Sequence, residues 1–364
     1  MTEQQHIIAP GAISDPSALL ARLKPGHILL VTGKASFEKC GAAAAILPML
    51  KQHGFSVTRF CDFDTNPDTE GLARGLASIS EIKPDAIIAV GGGSTIDMAK
   101  LIRFFHAYSG EILSGKYTRT APLVPLTAIP TTAGTGSEAT HFAVLYHKGI
   151  KHSIEHDDIR PDYAIVDATL TYGSPAYLTA CAGFDALAQA IEAYWNRNAT
   201  DSSDALALKA IELLYPALPH IVTNPDDYLR RRHVAEGAYW AGRAIDITKT
   251  TAPHAFSYPF TSHYGYPHGH AVALTFPLIA EINISRSGMP DYKKDYLRHL
   301  FGTSDKIAEV LGAYTHSIGL ALRPDNYDID LISSEINLGR LANNPAEISP
   351  ADAGNIILQA TTTL

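Results

Sequence analysis

Between about residues 20 and 170 the chain alternates short runs rich in β-branched residues with longer stretches of helical periodicity. This alternation restricts the possible folds more than any other feature. HILLVTG, FSVTRFCDF, PDAIIAVGGG, LVPLTAIPTT and DYAIVDATL read as strands, and 37–53, 69–82 and 94–106 read as helices. A strand followed by a helix and another strand is the unit of a parallel sheet, so this half is expected to be an α/β, Rossmann-like domain over 1–172. Beyond about residue 170 the strand-like runs vanish. Long Ala/Leu-rich segments follow at 183–197, 202–215, 228–243, 270–284 and 304–318, and the tail closes with a short helix at 351–359. The second domain, 173–364, is therefore expected to be all-helical. The change of texture falls at 170–177, which carries Gly173 and Pro175.

With 364 residues, 46% of them hydrophobic and 18% charged, the chain is long enough to bury a sizeable core in each half. A formal net charge of −8 provides no general field to gather polyanions, so nucleic acid is not expected as a partner. The three cysteines, Cys40, Cys61 and Cys181, are odd in number and widely spaced. They signal neither a disulfide framework nor a zinc cluster, and a reducing cytoplasm is the expected setting. No basic N-terminal stretch precedes an apolar run, and no segment approaches the roughly 18 consecutive apolar residues of a membrane span, so no membrane partner is expected.

Two loops offer phosphate chemistry. Ala89-Val-Gly-Gly-Gly-Ser-Thr-Ile-Asp-Met-Ala-Lys100 sets three glycines between a strand and a helix. Glycine admits close backbone approach, and the free N–H groups of a helix start attract anions, so Gly91, Gly92, Gly93, Ser94 and Asp97 form a candidate pyrophosphate site. The order differs from the usual GxGxxG. Ala128-Ile-Pro-Thr-Thr-Ala-Gly-Thr-Gly-Ser-Glu138 also follows a strand and offers four hydroxyls, with Thr131, Thr132 and Ser137 as candidate cofactor contacts. Lys151 is a further candidate.

The helical half carries a second chemistry. In GFDALAQAIEAYW, Asp185 and Gln189 lie one turn apart on one side of a helix. Four of the 16 histidines, His254, His263, His268 and His270, crowd into one short window. A carboxylate and neutral imidazoles are ligands that Fe²⁺ or Zn²⁺ accepts.

GGGSxxDxAK, PTTAGTGSE, the Asp-bearing helix and a His-Ala/His-Gly pair with twelve residues between the two dipeptides, taken together, resemble the iron-containing (group III) alcohol dehydrogenase family. That family includes glycerol dehydrogenases and is related to dehydroquinate synthase. The resemblance covers nearly the whole chain. It implies a nicotinamide-binding domain, a helical domain and an active site in the cleft between them. It implies Asp185, His254 and His268 as ligands of Fe²⁺ or Zn²⁺, with a homo-oligomer, commonly a dimer, as the assembly. Gln189 stands where many members carry a further ligand histidine, and its amide oxygen is a weak ligand for either ion. Tyr258 replaces another histidine near the substrate, leaving Tyr258, His263 and His270 as candidate proton carriers.

In NAD-specific relatives an acid follows the first strand and repels a 2′-phosphate. Here Gly33 stands there, so NADPH is admitted beside NADH and favoured, with Lys34 or Ser36 available to the extra phosphate. In Ile245-Asp-Ile-Thr-Lys-Thr-Thr-Ala-Pro-His-Ala255, Lys249 sits among three threonines just before a ligand histidine. A lysine surrounded by hydroxyls suits a tetrahedral oxyanion. The same window resembles the phosphonoacetaldehyde reductase branch of the family, which implies a small anionic aldehyde as substrate. Arg119 and Arg243 are additional cations that no motif places. The alternatives are a general alcohol or glycerol-like polyol dehydrogenase and, in another class, a dehydroquinate-synthase-type lyase.

Overall fold

The computed structural model describes residues 4–20, 23, 26–322 and 326–362. The chain divides into two compact units, Met1–Ser174 and Pro175–Leu364.

In the first unit the strands are β1 (Gln5–Ile8), β2 (His27–Thr32), β3 (Ser56–Phe60), β4 (Ala86–Gly91), the two-residue pair β5 (Tyr108–Ser109) and β6 (Thr118–Arg119), β7 (Leu126–Pro130), β8 (Phe142–His147), β9 (Ile150–Glu155) and β10 (Tyr163–Val166). Six of them form one sheet in the order β1-β10-β7-β4-β2-β3, every neighbouring pair parallel. Period-two alternation splits each inner strand between two cores. Leu29, Val31, Ile87, Ala89, Leu126 and Ala128 face α4 (Thr69–Ile82) and α5 (Gly93–Ala107). Ile28, Leu30, Ile88, Val90, Ile129 and Ile165 face the side covered by α1 (Pro16–Leu20), α2 (Ser36–Lys39) and α3 (Ala42–Gln52). Strands covered on both faces are fully apolar, which is why these runs read so clearly.

Helix α4 shows why the local sequence sets its bounds. Asp68 caps it by accepting from the Gly71 N–H at 2.7 Å, and Lys83 ends it in a left-handed conformation before Pro84. The expected helix at 37–53 is interrupted, because Gly41 has φ 84° and splits it into α2 and α3. The antiparallel hairpin β8–β9 was not legible in the sequence. Its turn, Lys148–Gly149, has positive φ at both residues, which suits a two-residue hairpin connection.

The second unit is all-helical among its described residues: α6 (Ala176–Trp195), α7 (Asp201–Thr223), α8 (Tyr228–Thr248), α9 (Ala252–Tyr264), α10 (His268–Arg286), α11 (Asp291–Phe301), α12 (Ile307–Ser317), α13 (Ile329–Ser334), α14 (Leu338–Leu341) and α15 (Pro350–Thr362). Helix α7 packs against α6 and α8. By length and composition α7 would also reach across a bilayer, contrary to the expectation from the sequence that no segment is long and apolar enough. A core helix passes the same test. Its charged residues Asp201, Asp204, Lys209 and Glu212 break any continuous apolar run.

Candidate metal centre and nucleotide loops

In a sheet of order β1-β10-β7-β4-β2-β3 the connections leave in opposite directions from β2 and β4. Ligands in open α/β sheets gather at such a reversal, beyond the strand carboxyl ends. Gly33 follows β2 there, and Gly91–Gly93 follow β4. A methyl group on Gly91 would collide with Thr95, one on Gly93 would lie 2.7 Å from Thr135 Oγ1, and one on Gly92 would lie 3.3 Å from Thr132 Oγ1. The two loops are therefore packed face to face. Helix α5 opens at Gly93 without a side-chain cap, so its first N–H groups are available to an anion.

Several of the sequence candidates have partners within the protein. The Ser94 hydroxyl donates to the Thr65 carbonyl. Asp97 is buried and accepts from the Ser137 hydroxyl and, at 2.9 Å, from the Val144 N–H. Burial pushes its pKa up, against the nearby Lys100 charge and these hydrogen bonds. Lys100 is buried as well, donating to the Ser137 and Phe142 carbonyls at 2.8 and 2.6 Å. Asp97, Lys100 and Ser137 thus tie the second loop to α5. Thr131 is buried, with its N–H on the Gly91 carbonyl at 2.9 Å. Lys151 lies on β9 opposite Tyr146, close enough to Asp97 for their charges to interact. Lys34 is exposed and paired with Asp64 at 2.8 Å. Arg59, which the sequence did not single out, donates to the Gly33 and Lys34 carbonyls at 2.9 and 3.0 Å.

In the helical unit, α6, α9 and α10 bring Asp185, His254 and His268 together. Their ligand atoms all lie within 4.8 Å of one another. His254 Nε2 is 3.2 Å and His268 Nε2 3.9 Å from Asp185 Oδ1, so both imidazoles converge on a single carboxylate oxygen. The close approach of α10 to α6 depends on Gly269, where a side chain would collide with the Cys181 carbonyl oxygen.

Glu192, which motif reading did not identify, lies seven residues after Asp185 on the same helix and is fully buried. It accepts from His254 Nδ1 at 2.5 Å and from the Thr251 N–H and hydroxyl at 2.5 and 2.9 Å. Trp195 Nε1 in turn donates to that hydroxyl at 3.0 Å. Because Glu192 holds the Nδ1 proton, His254 presents Nε2 toward Asp185. Burial alone would lower the His254 pKa. The Glu192 and Asp185 charges and hydrogen bonds outweigh it and push the value up to about 9.

Donors bound at about 2.1 Å to a tetrahedral ion stand about 3.4 Å apart. The observed separations, the buried carboxylate and the oriented imidazole fit Fe²⁺ or Zn²⁺ held by Asp185, His254 and His268. Gln189 completes the cluster from one turn along α6, its Nε2 donating to Asp185 Oδ2 at 3.1 Å.

The other candidates are distributed around this triad. The Tyr258 ring lies 6.3 Å from that of His268. His270 is buried two residues past His268. Its Nε2 is 2.9 Å from the Ala321 carbonyl and must donate to it, so Nδ1 accepts from the Tyr177 hydroxyl at 2.8 Å. His263 pairs with Glu335 at 2.8 Å on an exposed face. Arg243 donates to the Tyr239 hydroxyl at 3.3 Å, and Arg119 donates to the Ala121 carbonyl at 3.2 Å. Lys249 lies between α8 and α9 with φ 66° and ψ 177°, its carbonyl accepting from Asn196 Nδ2 at 3.0 Å.

Residues 4–168 match the iron-containing alcohol dehydrogenase family, and residues 179–321 match the C-terminal part of the same family. The chain is 34% identical over 309 residues to long-chain-alcohol dehydrogenase 1 of Geobacillus thermodenitrificans, covering 84% of this chain and 78% of that one. It is 34% identical over 284 residues to 1,3-propanediol dehydrogenase of Klebsiella pneumoniae, covering 77% and 73%. Among solved structures, sulfoacetaldehyde reductase from Bifidobacterium kashiwanohense, in complex with NAD⁺, superposes with a TM-score of 0.90 at 28% identity, over 100% of this chain and 98% of that one. The parallel-sheet unit and the helical unit agree with these likenesses, and the chain belongs to the iron-containing alcohol dehydrogenase family as an NAD-linked alcohol dehydrogenase or aldehyde reductase.

Proposed function

We propose that this enzyme reduces a small aldehyde bearing an anionic tetrahedral head, phosphonoacetaldehyde to 2-hydroxyethylphosphonate. The single observation that carries the reading is the backbone of Lys249. Its φ of 66° with ψ of 177° lies in a region that glycine alone occupies freely, and a side chain held there costs about 1–3 kcal/mol. A lysine kept at such a position, five residues before His254 and flanked by Thr248, Thr250 and Thr251, is explained by a cation aimed at a ligand. The likeness to a sulfoacetaldehyde reductase, whose substrate name denotes a sulfonate, supports an anionic head on the substrate.

When bound, the ion supplies a Lewis acid for the carbonyl oxygen and the nicotinamide supplies hydride. Asp185, His254 and His268 fix the ion, with Glu192 orienting His254. Lys249 holds the anionic head, so that the reacting carbonyl is positioned by a contact made away from it. Tyr258, whose ring lies beside that of His268, is assigned proton transfer to the product oxygen; His263 pairs with Glu335 on an exposed face, and His270 bonds the Tyr177 hydroxyl and the Ala321 carbonyl.

NADPH is favoured over NADH on this reading. The turn after β2 carries Gly33 where an acid would repel a 2′-phosphate, and Lys34 leaves an exposed ion pair at little cost. We take the enzyme to be a cytoplasmic homo-oligomer, an assembly that its family resemblance implies.

The deciding experiment compares kcat/KM for phosphonoacetaldehyde, sulfoacetaldehyde and propionaldehyde, with either nucleotide, in wild type and Lys249→Gly. The variant should fold at least as stably, gaining up to about 2 kcal/mol from relieved strain net of glycine's entropy cost. It should lose at least tenfold in kcat/KM for the anionic aldehydes and little for propionaldehyde. Equal efficiency on charged and neutral aldehydes in wild type would favour the alternative of a general alcohol or polyol dehydrogenase, the activity named for the 1,3-propanediol relative. Turnover without net change in the nicotinamide would favour the lyase. Sedimentation of the same protein as a monomer would overturn the assembly.

A further inference from the structure

Gln189 lies one turn along α6 from Asp185, and its surroundings define a task. The side chain is 4% exposed. Its Nε2 donates to Asp185 Oδ2 at 3.1 Å, while both imidazole Nε2 atoms converge on Asp185 Oδ1. A carboxylate accepts and does not donate, so the amide nitrogen must be the atom that faces it, and the orientation of the amide is fixed. The remaining atom, Gln189 Oε1, is buried without a hydrogen-bond partner. An unpaired buried amide oxygen costs about 1–3 kcal/mol, so its presence calls for an explanation.

We propose that Gln189 is a positioning residue and not a metal ligand: through Nε2 it holds Asp185 to one-oxygen ligation by Oδ1, and through Oε1 it accepts from an O–H group that enters with the ion. The inference rests on the metal reading of the site. It makes the centre a three-ligand site of one carboxylate and two imidazoles, with positions left open for exchange. Without the clamp, Oδ2 is free to swing onto the ion and occupy one of those positions. The carboxamide suits both tasks because it donates and accepts at the same time without carrying a charge. A glutamate would repel Asp185, and a histidine would reach the ion itself.

The test needs neither substrate nor nicotinamide. The full-length protein is stripped with a chelator and reloaded with Co²⁺ or Zn²⁺ alone. Affinity is read by chelator competition, and coordination by X-ray absorption and the Co²⁺ visible spectrum. Wild type should show two imidazoles per ion. Gln189→Leu, close in volume, should still bind one ion per chain, with affinity lowered about 10–100-fold and a changed Co²⁺ spectrum. Gln189→His should show three imidazoles and bind at least tenfold more tightly.

Loss of stoichiometric binding in Gln189→Leu, to the extent seen in His268→Ala, would make Gln189 a ligand and overturn the proposal. Unchanged affinity and spectrum would overturn it in the other direction, leaving a packing residue. If Gln189→Leu fails to fold, the imidazole count of wild type against Gln189→His still decides between two ligand histidines and another arrangement. Failure of the aldehyde-reductase reading would appear in turnover alone and would leave these metal measurements intact.

Discussion

At the scale of single residues, the chemistry depends on groups that act through others. Glu192 touches no candidate ligand atom facing the ion, yet it decides which nitrogen of His254 faces Asp185. Glu192→Gln should fold and still bind one ion per chain, but with affinity lowered about 10–100-fold in chelator competition; an unchanged affinity would reduce Glu192 to a cap for Thr251. His254 gives a pH dependence whose sign follows from its raised pKa. In the ion-free protein its proton is held between two carboxylates, with a pKa of about 9 against an ordinary 6.5. The stability this provides is fully present below about pH 6.5 and is lost as pH rises through about 9. The midpoint of thermal unfolding of chelator-treated protein should therefore fall over that window. An arriving ion must displace the Nε2 proton, so metal affinity should rise over the same window by up to about tenfold per pH unit. A flat affinity profile would show that the imidazole is already neutral.

At the scale of elements, the two candidate nucleotide loops meet because glycines let their turns approach closely. Gly93 opens α5 against Thr135, and a methyl group there would press on the hydroxyl and methyl of that threonine. Gly93→Ala should weaken NADH or NADPH binding at least tenfold in a fluorescence titration, with the fold retained, and adding Thr135→Ala should restore much of it. No rescue would show that backbone N–H geometry at the helix start, and not crowding, sets the affinity. The elements also mark where sequence reading stops. Five of the six sheet strands, β2, β3, β4, β7 and β10, and helix α4 were legible because apolar β-branched runs and an aspartate cap leave local signals, whereas β1, four residues that are exposed or half-buried, left none. The hairpin β8–β9 was not legible either, because its strands mix half-buried polar residues such as Lys151 and His152 with apolar ones. Helix α9 hid behind Pro253 and Pro259 and a density of aromatic and histidine residues that reads as a loop.

At the scale of the whole molecule, a ligand that binds only the folded chain stabilises it by mass action. Saturating the stripped protein with Zn²⁺ or Fe²⁺ at about 100 times its dissociation constant should add about 2.7 kcal/mol, seen as a higher unfolding midpoint. His268→Ala should abolish most of the increment while leaving the ion-free stability within about 1 kcal/mol of wild type, since that side chain is only half-buried. The sequence by itself determined the fold class and the glycine loops, because strand periodicity and loop composition are local properties, whereas Asp185, His254 and His268 entered as the ligand set that the family resemblance implies. Only the tertiary structure decided what Gln189, Glu192 and Asp97 do. Each is a buried polar group, and its role depends on which partner from a distant segment pairs with it or leaves an atom unpaired. Asp97 anchors a loop, Glu192 fixes an imidazole, and Gln189 bonds one oxygen of Asp185 while its own oxygen stays open.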